Sequence, residues 1–258
     1  MTRVALVTGA ARGIGAATVR ALASDGWRVV AVDLAADDPA IPYALATAHE
    51  LSALESCGDV TTVVADVRDV AALHTAVDAA VSSYGGLDAA IAAAGVIAGG
   101  APHWDTSRET ERAVVDVDML GVMNVARVAV PALLARPAPR SGRFIAVASA
   151  ASMRGLPRLA AYCAAKAGVA GFVRGLAADL SGTGVTANAV SPGSTDTAML
   201  AESARLYDLD SVDVFAAQQP VERLLAPGEI AAALVWLASE ASSALTGANI
   251  PVDGGLSL

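Results

Sequence analysis

Seven short apolar segments alternate with longer helical segments along this chain, and that alternation restricts the possible folds more than any other feature. The apolar segments lie at residues 4–7, 28–32, 61–65, 89–93, 144–148, 186–190 and 248–252. The longer segments lie at residues 13–25, 70–83, 106–134, 160–180 and 227–239. Strands that alternate with helices form a parallel sheet with helices on both faces. The sequence therefore predicts an α/β fold, a doubly wound three-layer sandwich around a seven-stranded parallel sheet.

The composition agrees with one large domain. The chain has 258 residues, 55% of them hydrophobic and only 4% aromatic, so its core consists of small aliphatic side chains that suit helices lying flat on a parallel sheet. No linker divides the chain, and we expect one nucleotide-binding domain over residues 1–258. Residues 35–57 are an insertion after the second strand, with a loop containing Pro39 and Pro42 and a short helix.

Charge and residue counts exclude several classes of function. A net charge of −9 argues against nucleic acid or an anionic membrane as a partner, because both bind basic surfaces. No segment reaches the about 20 uncharged apolar residues of a membrane span, and we expect a cytoplasmic protein. Two cysteines and three scattered histidines provide neither a disulfide framework nor a metal site.

A glycine-rich turn between the first strand and the first helix indicates a phosphate-binding site. The segment Thr8-Gly-Ala-Ala-Arg-Gly-Ile-Gly15 brings backbone N–H groups close to a pyrophosphate at a helix N-terminus. The candidate contacts are Gly9, Arg12, Gly13, Ile14 and Gly15.

Asp33, at the end of the second strand, predicts the type of nucleotide. Its carboxylate is placed to accept hydrogen bonds from an adenosine ribose and to repel a 2′-phosphate. This favours NAD over NADP, although Arg12 is a residue that could still favour a phosphate.

The chain has 17 Lys and Arg residues, and only Lys166 is a lysine. It follows Tyr162 by four residues on a predicted helix, so both side chains share one face. A phenol with a pKa near 10 is a poor base at neutral pH, and a nearby ammonium lowers that pKa by stabilising the phenolate. The spacing therefore predicts that Tyr162 transfers a proton with the help of Lys166.

The glycine turn together with Tyr162 and Lys166 resembles the classical short-chain dehydrogenase/reductase family over essentially the whole chain, which implies a Rossmann-type fold. Further matches are Asp66 and Val67, Ala94 and Gly95, Ser149, Pro192 and Gly193, Thr195 and Thr197. The resemblance implies that Asp66 and Val67 contact adenine, and that the positions from Pro192 to Thr197 hold the nicotinamide. Where the family has Asn-Asn-Ala-Gly, this chain has Ala92-Ala-Ala-Gly95, which we interpret as a structural difference.

The same resemblance implies a catalytic group of Ser149, Tyr162, Lys166 and Asp118. Ser149 would hold the substrate oxygen, Tyr162 would exchange the proton, and Lys166 would also bind the nicotinamide ribose. Asp118 occupies the position of the family's fourth catalytic residue, an Asn. Two interpretations stay open here: its carboxylate alters the proton relay beside Lys166, or it bonds locally within its helix.

A narrower resemblance concerns the insertion. The segment Pro42-Tyr-Ala-Leu-Ala-Thr-Ala-His-Glu-Leu51 is similar to the one found in mycofactocin-associated short-chain dehydrogenases of actinobacteria. That group implies a covered NAD that does not exchange freely, and mycofactocin, a peptide-derived redox cofactor, as external partner. Family membership also implies a homotetramer built on the helices at 106–134 and 160–180.

Two other functions remain as alternatives. One is a conventional reductase, for instance of 3-oxoacyl thioesters, with freely exchanging NAD(P)H. The other is a non-catalytic nucleotide-binding scaffold. The predicted substrate pocket, formed by residues 96–103, 153–159 and 198–219, is mostly apolar. It favours a small or medium hydrophobic secondary alcohol, such as a terpenoid or alicyclic one, over a sugar or an acid.

Overall fold

The computed structural model describes residues 2–258 and contains one seven-stranded sheet. Its strands are β1 Val4–Thr8, β2 Arg28–Asp33, β3 Val60–Val64, β4 Ala89–Ala92, β5 Arg143–Val147, β6 Thr186–Pro192 and β7 Asn249–Val252. Their order is β3-β2-β1-β4-β5-β6-β7, and every neighbouring pair is parallel. The fold class predicted from the sequence is confirmed. The order reverses between β1 and β4, which opens a crevice at the carboxyl ends of the strands.

Helices cover both faces of the sheet. They are α1 Gly13–Ser24, α2 Ala48–Ser52, α3 Val70–Tyr84, α4 Arg108–Val115, α5 Gly121–Leu134, α6 Ala160–Asp179, α7 Ala198–Leu206 and α8 Pro227–Ala238. On one face α1 packs against α8, and on the other α3 packs against α5. Each face has its own buried aliphatic cluster, typified by Leu22 and Leu234 on the first and by Leu73 and Val125 on the second. We keep the single domain over residues 1–258 as a proposal; its Met1 lies outside the described residues.

The helix predicted at residues 106–134 is continuous but changes its winding in the middle. A π-helical turn, Asp116–Leu120, joins α4 to α5, and such turns often mark functional sites. By length and apolar composition the whole segment Arg108–Leu134 would suffice to cross a membrane, a test that core helices also pass. Here it packs against α3, α6 and β4, so it is a core helix of this fold.

The insertion between β2 and β3 contains α2 and a 3₁₀ helix, Ala53–Cys57. Thr47 and Glu50 form a reciprocal capping box that starts α2. One helix was not predicted from the sequence: α7 lies in a segment interpreted only as pocket lining. Thr197 starts it, because its hydroxyl accepts a hydrogen bond from the Leu200 N–H at 3.3 Å.

Candidate active site

The crevice above the reversal of strand order holds a cavity of about 960 Å³. Most of the residues predicted for cofactor binding or catalysis line it: Gly9, Arg12, Gly13, Ile14, Gly15, Gly95, Ser149, Tyr162, Lys166, Pro192, Gly193, Thr195 and Thr197. A smaller cavity of about 110 Å³ shares Gly9, Arg12 and Gly95 with it, and Asp33, Asp66, Val67 and Ala94 line this second space. Of the predicted residues only Asp118 lines neither cavity.

The glycine-rich turn packs too tightly for larger side chains. A Cβ on Gly15 would overlap the carbonyl of Gly9, so the first turn of α1 lies directly against the end of β1. Arg12 has extended backbone at the N-cap, and no acidic side chain occupies the first turn. Gly13, Ile14 and Gly15 of this helix start line the large cavity, and a helix N-terminus without an acidic residue suits an anion such as pyrophosphate.

Asp33 lies at the rim of the smaller cavity, where its carboxylate is held by backbone groups. Its Oδ2 accepts a hydrogen bond from the Ala11 N–H at 2.9 Å, and its Oδ1 accepts one from the Ala35 N–H at 3.1 Å. These contacts fix a carboxylate at the end of β2, beside the glycine-rich turn. A negative group in this place suits ribose hydroxyls and opposes a 2′-phosphate.

Arg68 connects the adenine side of the cavity to the insertion. Its guanidinium donates bidentate hydrogen bonds to Asp66 and forms an ion pair with Asp38 of the insertion at 2.6 Å. Burial opposes the effect, but the hydrogen bonds from Arg68 lower the pKa of Asp66 overall. Arg68 thus fixes the Asp66 carboxylate at the wall of the smaller cavity.

Ser149, Tyr162 and Lys166 converge at the carboxyl end of β5. Ser149 follows that strand and starts a 3₁₀ turn, Ala150–Ser152, while the other two side chains project from successive turns of α6. The Lys166 ammonium lies 5.7 Å from the centre of the Tyr162 ring and donates a hydrogen bond to the Val147 carbonyl at 3.2 Å. Tyr162 is 6% exposed and Lys166 is 3% exposed.

The electrostatics of Tyr162 differ from the sequence expectation. Burial, followed by the charge of Asp118, raises the pKa of Tyr162, and a hydrogen bond with Ser149 acts in the opposite direction. The net direction is therefore opposite to the lowering that the sequence predicts from Lys166. Burial disfavours the charged phenolate, and the negative charge of Asp118 adds to that effect.

Asp118 contacts Lys166, and its hydrogen bond reaches out of its own helix. It lies in the π-helical turn with 0% exposure. Its Oδ1 accepts a hydrogen bond from the Val96 N–H at 2.7 Å, and its Oδ2 lies 3.5 Å from Lys166 Nζ. The interpretation of a side chain bonded only locally is therefore wrong. Asp118 stands behind Lys166 as seen from the cavity.

Tyr43 lies in the predicted insertion but was not predicted as a site residue. Its hydroxyl accepts a hydrogen bond from the Ile97 N–H at 3.2 Å, and the Arg12 guanidinium lies 5.9 Å from its ring centre. Arg12 also donates a hydrogen bond to the Ala44 carbonyl at 2.9 Å. The insertion thus reaches over the large cavity and contacts the glycine-rich turn. The only available signal was that Tyr43 is the one Phe, Tyr or Trp residue between residues 35 and 57.

Gln219 was also missed as a site residue, although it ends the segment predicted to line the pocket. It is 1% exposed, and its side chain accepts from the Ser194 N–H at 2.9 Å and donates to the carbonyls of Ser194 and Arg223. These bonds hold the segment after β6 that contains Gly193 and Thr195. A buried amide side chain outside any motif gives no sequence signal.

Comparison with known proteins decides the family. A family model described as enoyl-(acyl carrier protein) reductase matches residues 9–257, and a cis-4-hydroxycyclohexanecarboxylate dehydrogenase of Sinomonas cyclohexanicum is 39% identical, with 98% of this chain and 96% of that protein covered. The chain belongs to the short-chain dehydrogenase/reductase family. The family and the oxidoreductase class predicted from the sequence are confirmed.

Two further members of the short-chain dehydrogenase/reductase family show the same likeness. A (−)-trans-carveol dehydrogenase of Rhodococcus erythropolis is 37% identical, with 99% of this chain and 98% of that protein covered. The crystal structure of a carveol dehydrogenase from Mycobacterium avium in complex with NAD has a TM-score of 0.92 and 28% identity, with 98% of this chain and 97% of that chain covered. The prediction of an NAD-dependent alcohol dehydrogenase agrees with both.

Proposed function

We propose that this protein is an NAD-dependent dehydrogenase that interconverts a small or medium hydrophobic secondary alcohol and its ketone. One observation carries the proposal: Ser149, Tyr162 and Lys166 meet on the wall of a cavity that is continuous with the glycine-rich turn. Such a group can transfer a proton to or from an oxygen held beside a nucleotide. Two relatives of this protein act, by their names, on cyclic alcohols.

The residues present fit NAD. The free N–H groups at the start of α1 suit its pyrophosphate, and the fixed carboxylate of Asp33 suits its adenosine ribose. Thr195 and Thr197 border the same cavity on the β6 side, where the nicotinamide would lie. When bound, NAD supplies the acceptor for the hydride of the alcohol.

The side chains of this chain then divide the remaining work. Ser149 Oγ hydrogen-bonds the substrate oxygen and orients it toward Tyr162. The Tyr162 phenolate takes the hydroxyl proton during oxidation, and the phenol returns it during reduction. Lys166 lies under the Tyr162 ring on α6, where its ammonium stabilises the phenolate. Burial excludes water from the phenol, which strengthens each of these electrostatic interactions.

The lining of the large cavity supports the proposed class of alcohol. Its side chains are largely apolar, among them Ile97, Leu156, Met199, Leu209 and Phe215. An apolar lining stabilises an alicyclic or terpenoid ring by burying its surface, and it offers little to compensate the desolvation of a sugar.

We also propose that NAD is held tightly and that electrons leave through an external acceptor. Three contacts hold the insertion over the nucleotide site: Asp38 with Arg68, Arg12 with the Ala44 carbonyl, and Tyr43 with Ile97. A cover fixed at three points slows exchange of whatever lies beneath it. Mycofactocin as that acceptor rests on the sequence resemblance, and the homotetramer and the cytoplasmic location stay predictions.

The first experiment purifies the protein without added nucleotide, denatures it and identifies the nucleotide released. Near-stoichiometric NAD, together with about one turnover when alcohol and excess NAD are added, supports the covered site. Sustained NADH production contradicts the covered site and favours the conventional reductase. Sustained turnover with an artificial electron acceptor supports the external redox partner.

A second experiment separates the enzyme from a non-catalytic scaffold. Tyr162→Phe removes the proton-transferring hydroxyl, and activity on a panel of cyclohexanols and terpenoid alcohols should fall by about 10²–10⁴-fold. Tyr84→Phe is the matched control, because the Tyr84 hydroxyl bonds Thr61 on the outer strand β3. Absence of any dehydrogenase activity in a wild-type protein that still binds NAD would favour the scaffold.

A further inference from the structure

The carboxylate of Asp118 is only half satisfied. Its Oδ1 accepts the hydrogen bond from Val96, whereas its Oδ2 is completely buried and has no hydrogen-bond partner. The nearest positive charge is Lys166 Nζ, 3.5 Å away. A buried charge without full compensation destabilises a fold, so it is retained only with a partner or a role. The partner here is the ammonium that supports Tyr162.

Gly95 provides the space in which this pair meets. A Cβ at that position would lie 3.2 Å from Lys166 Nζ and 3.4 Å from Asp118 Oδ1. The pair therefore occupies a compartment bounded by the loop after β4, the π-helical turn and α6. Lys166 has two anchors in it, the Val147 carbonyl at 3.2 Å and the Asp118 carboxylate.

We propose that Asp118 is a positioning residue that acts through Lys166: its carboxylate holds the ammonium against β5 and offsets its charge, so that Tyr162 stays protonated to a higher pH than it would beside an uncompensated lysine. The inference rests on the proposed function for its consequence, because a protonated Tyr162 is the proton donor for ketone reduction, whereas oxidation requires the phenolate. Asp118 thereby extends reduction to higher pH and confines oxidation to more alkaline conditions.

The groups that face Tyr162 are few. On α6 they are Lys166 and Cys163, and after β5 the neutral hydroxyl of Ser149. Two other tyrosines pack in the same apolar cluster. Tyr43 comes from the insertion, and burial raises its pKa to about 12. Tyr207 ends α7, and burial raises its pKa as well. Both are neutral in the working range, so Asp118 is the only carboxylate whose charge acts on Tyr162 there.

The test measures the ionisation of Tyr162 directly. Tyrosinate absorbance is titrated with pH in the protein as purified, and subtraction of the Tyr162→Phe protein, purified in the same way, isolates the signal of Tyr162. In Asp118→Asn the midpoint of that titration should fall by at least one pH unit. At a fixed pH below both midpoints, the fraction of Tyr162 present as phenolate then rises about tenfold. Asp118→Ser removes the same charge while keeping an oxygen that can accept from Val96, and it should move the titration in the same direction.

Asp116→Asn is the matched control. Asp116 lies in the same π-helical turn, but its half-buried side chain pairs with the exposed Arg112 at 3.7 Å. This variant should leave the titration unchanged. A downward shift in the two Asp118 variants alone supports the inference. An unchanged or upward shift in either folded Asp118 variant, shown folded by its melting curve, overturns it.

The pH profile of kcat for alcohol oxidation is the second readout. Its acidic limb should move downward by the same amount in Asp118→Asn. A shifted tyrosinate titration without dehydrogenase activity in any variant or in wild type would contradict the proposed function but support the role of Asp118. Activity with an unshifted profile would support the function and overturn that role.

Discussion

The phenol of Tyr43 accepts a hydrogen bond from the backbone N–H of Ile97 across 3.2 Å, and this bond joins the insertion to the loop that follows β4. Both residues line the large cavity. The proposed nucleotide cover and the proposed substrate pocket therefore share a contact. A substitution at either residue should therefore change the binding of both nucleotide and substrate.

Tyr43→Phe should accelerate the release of NAD. The substitution leaves the buried Ile97 N–H without an acceptor, which costs about 1–3 kcal/mol. If the lost bond destabilises the state in which the insertion covers the nucleotide, NAD dissociates about tenfold faster or more. Stopped-flow displacement of NADH, followed by its fluorescence, measures the rate. Tyr84→Phe loses a comparable hydroxyl bond far from the cavity, and equal rates in the two variants would contradict a role for Tyr43 in the cover.

Gln219→Leu should loosen the nicotinamide side of the site. It removes the acceptor of the Ser194 N–H and both donor bonds of the side chain amide. The unsatisfied N–H costs about 1–3 kcal/mol, so we expect a lower melting temperature and weaker binding of NAD. Calorimetry and titration measure both. The adjacent Gln218 is exposed, and Gln218→Leu should change the melting temperature little; a similar loss in both variants would refute the assignment.

Lys166→Arg should inactivate the enzyme although it keeps the positive charge. The space between Gly95 and Asp118 holds a compact ammonium, and a planar guanidinium is larger and cannot direct its donors in the same way. We expect kcat to fall by about 10²–10⁴-fold. Arg174→Lys, an exchange on the exposed side of the same helix, should be neutral. Near wild-type activity of Lys166→Arg would show that charge alone is sufficient.

Asp33→Asn should shift the nucleotide preference toward NADP. The amide keeps an acceptor for a backbone N–H but loses the charge that repels a 2′-phosphate. The ratio of kcat/KM for NAD and NADP should fall by about tenfold, equal to about 1.4 kcal/mol. Asp25→Asn at the exposed end of α1 tests for a general effect of net charge. An unchanged ratio would place the discrimination elsewhere.

Much of the fold was predictable because its signals are local and periodic. The apolar segments gave the seven strands, and the glycine-rich turn gave the start of α1. The helix α7 was not predicted because the spacing of its apolar residues is only weakly helical and because its start depends on the Thr197 hydroxyl. The π-helical turn was not predicted because a change in helical winding does not alter the spacing of apolar residues in the sequence.

The site was predictable in its positions but not in its electrostatics. Motif spacing nominated Tyr162 and Lys166, and the structure places both on the cavity wall. Spacing carries no information on desolvation, so it could not show that burial raises the pKa of Tyr162. It also could not show Gln219 or Tyr43, whose contacts join segments far apart in the chain.

The chemistry of Lys166 extends beyond catalysis. Because it is the only lysine and is 3% exposed, an amine-reactive reagent that modifies the protein anywhere but its α-amino group reports on one buried nitrogen. The rate at which the reagent modifies the Lys166 nitrogen therefore measures how often the crevice opens to solvent. Immobilisation through lysine, routine for other enzymes, would here modify the residue that we propose supports Tyr162.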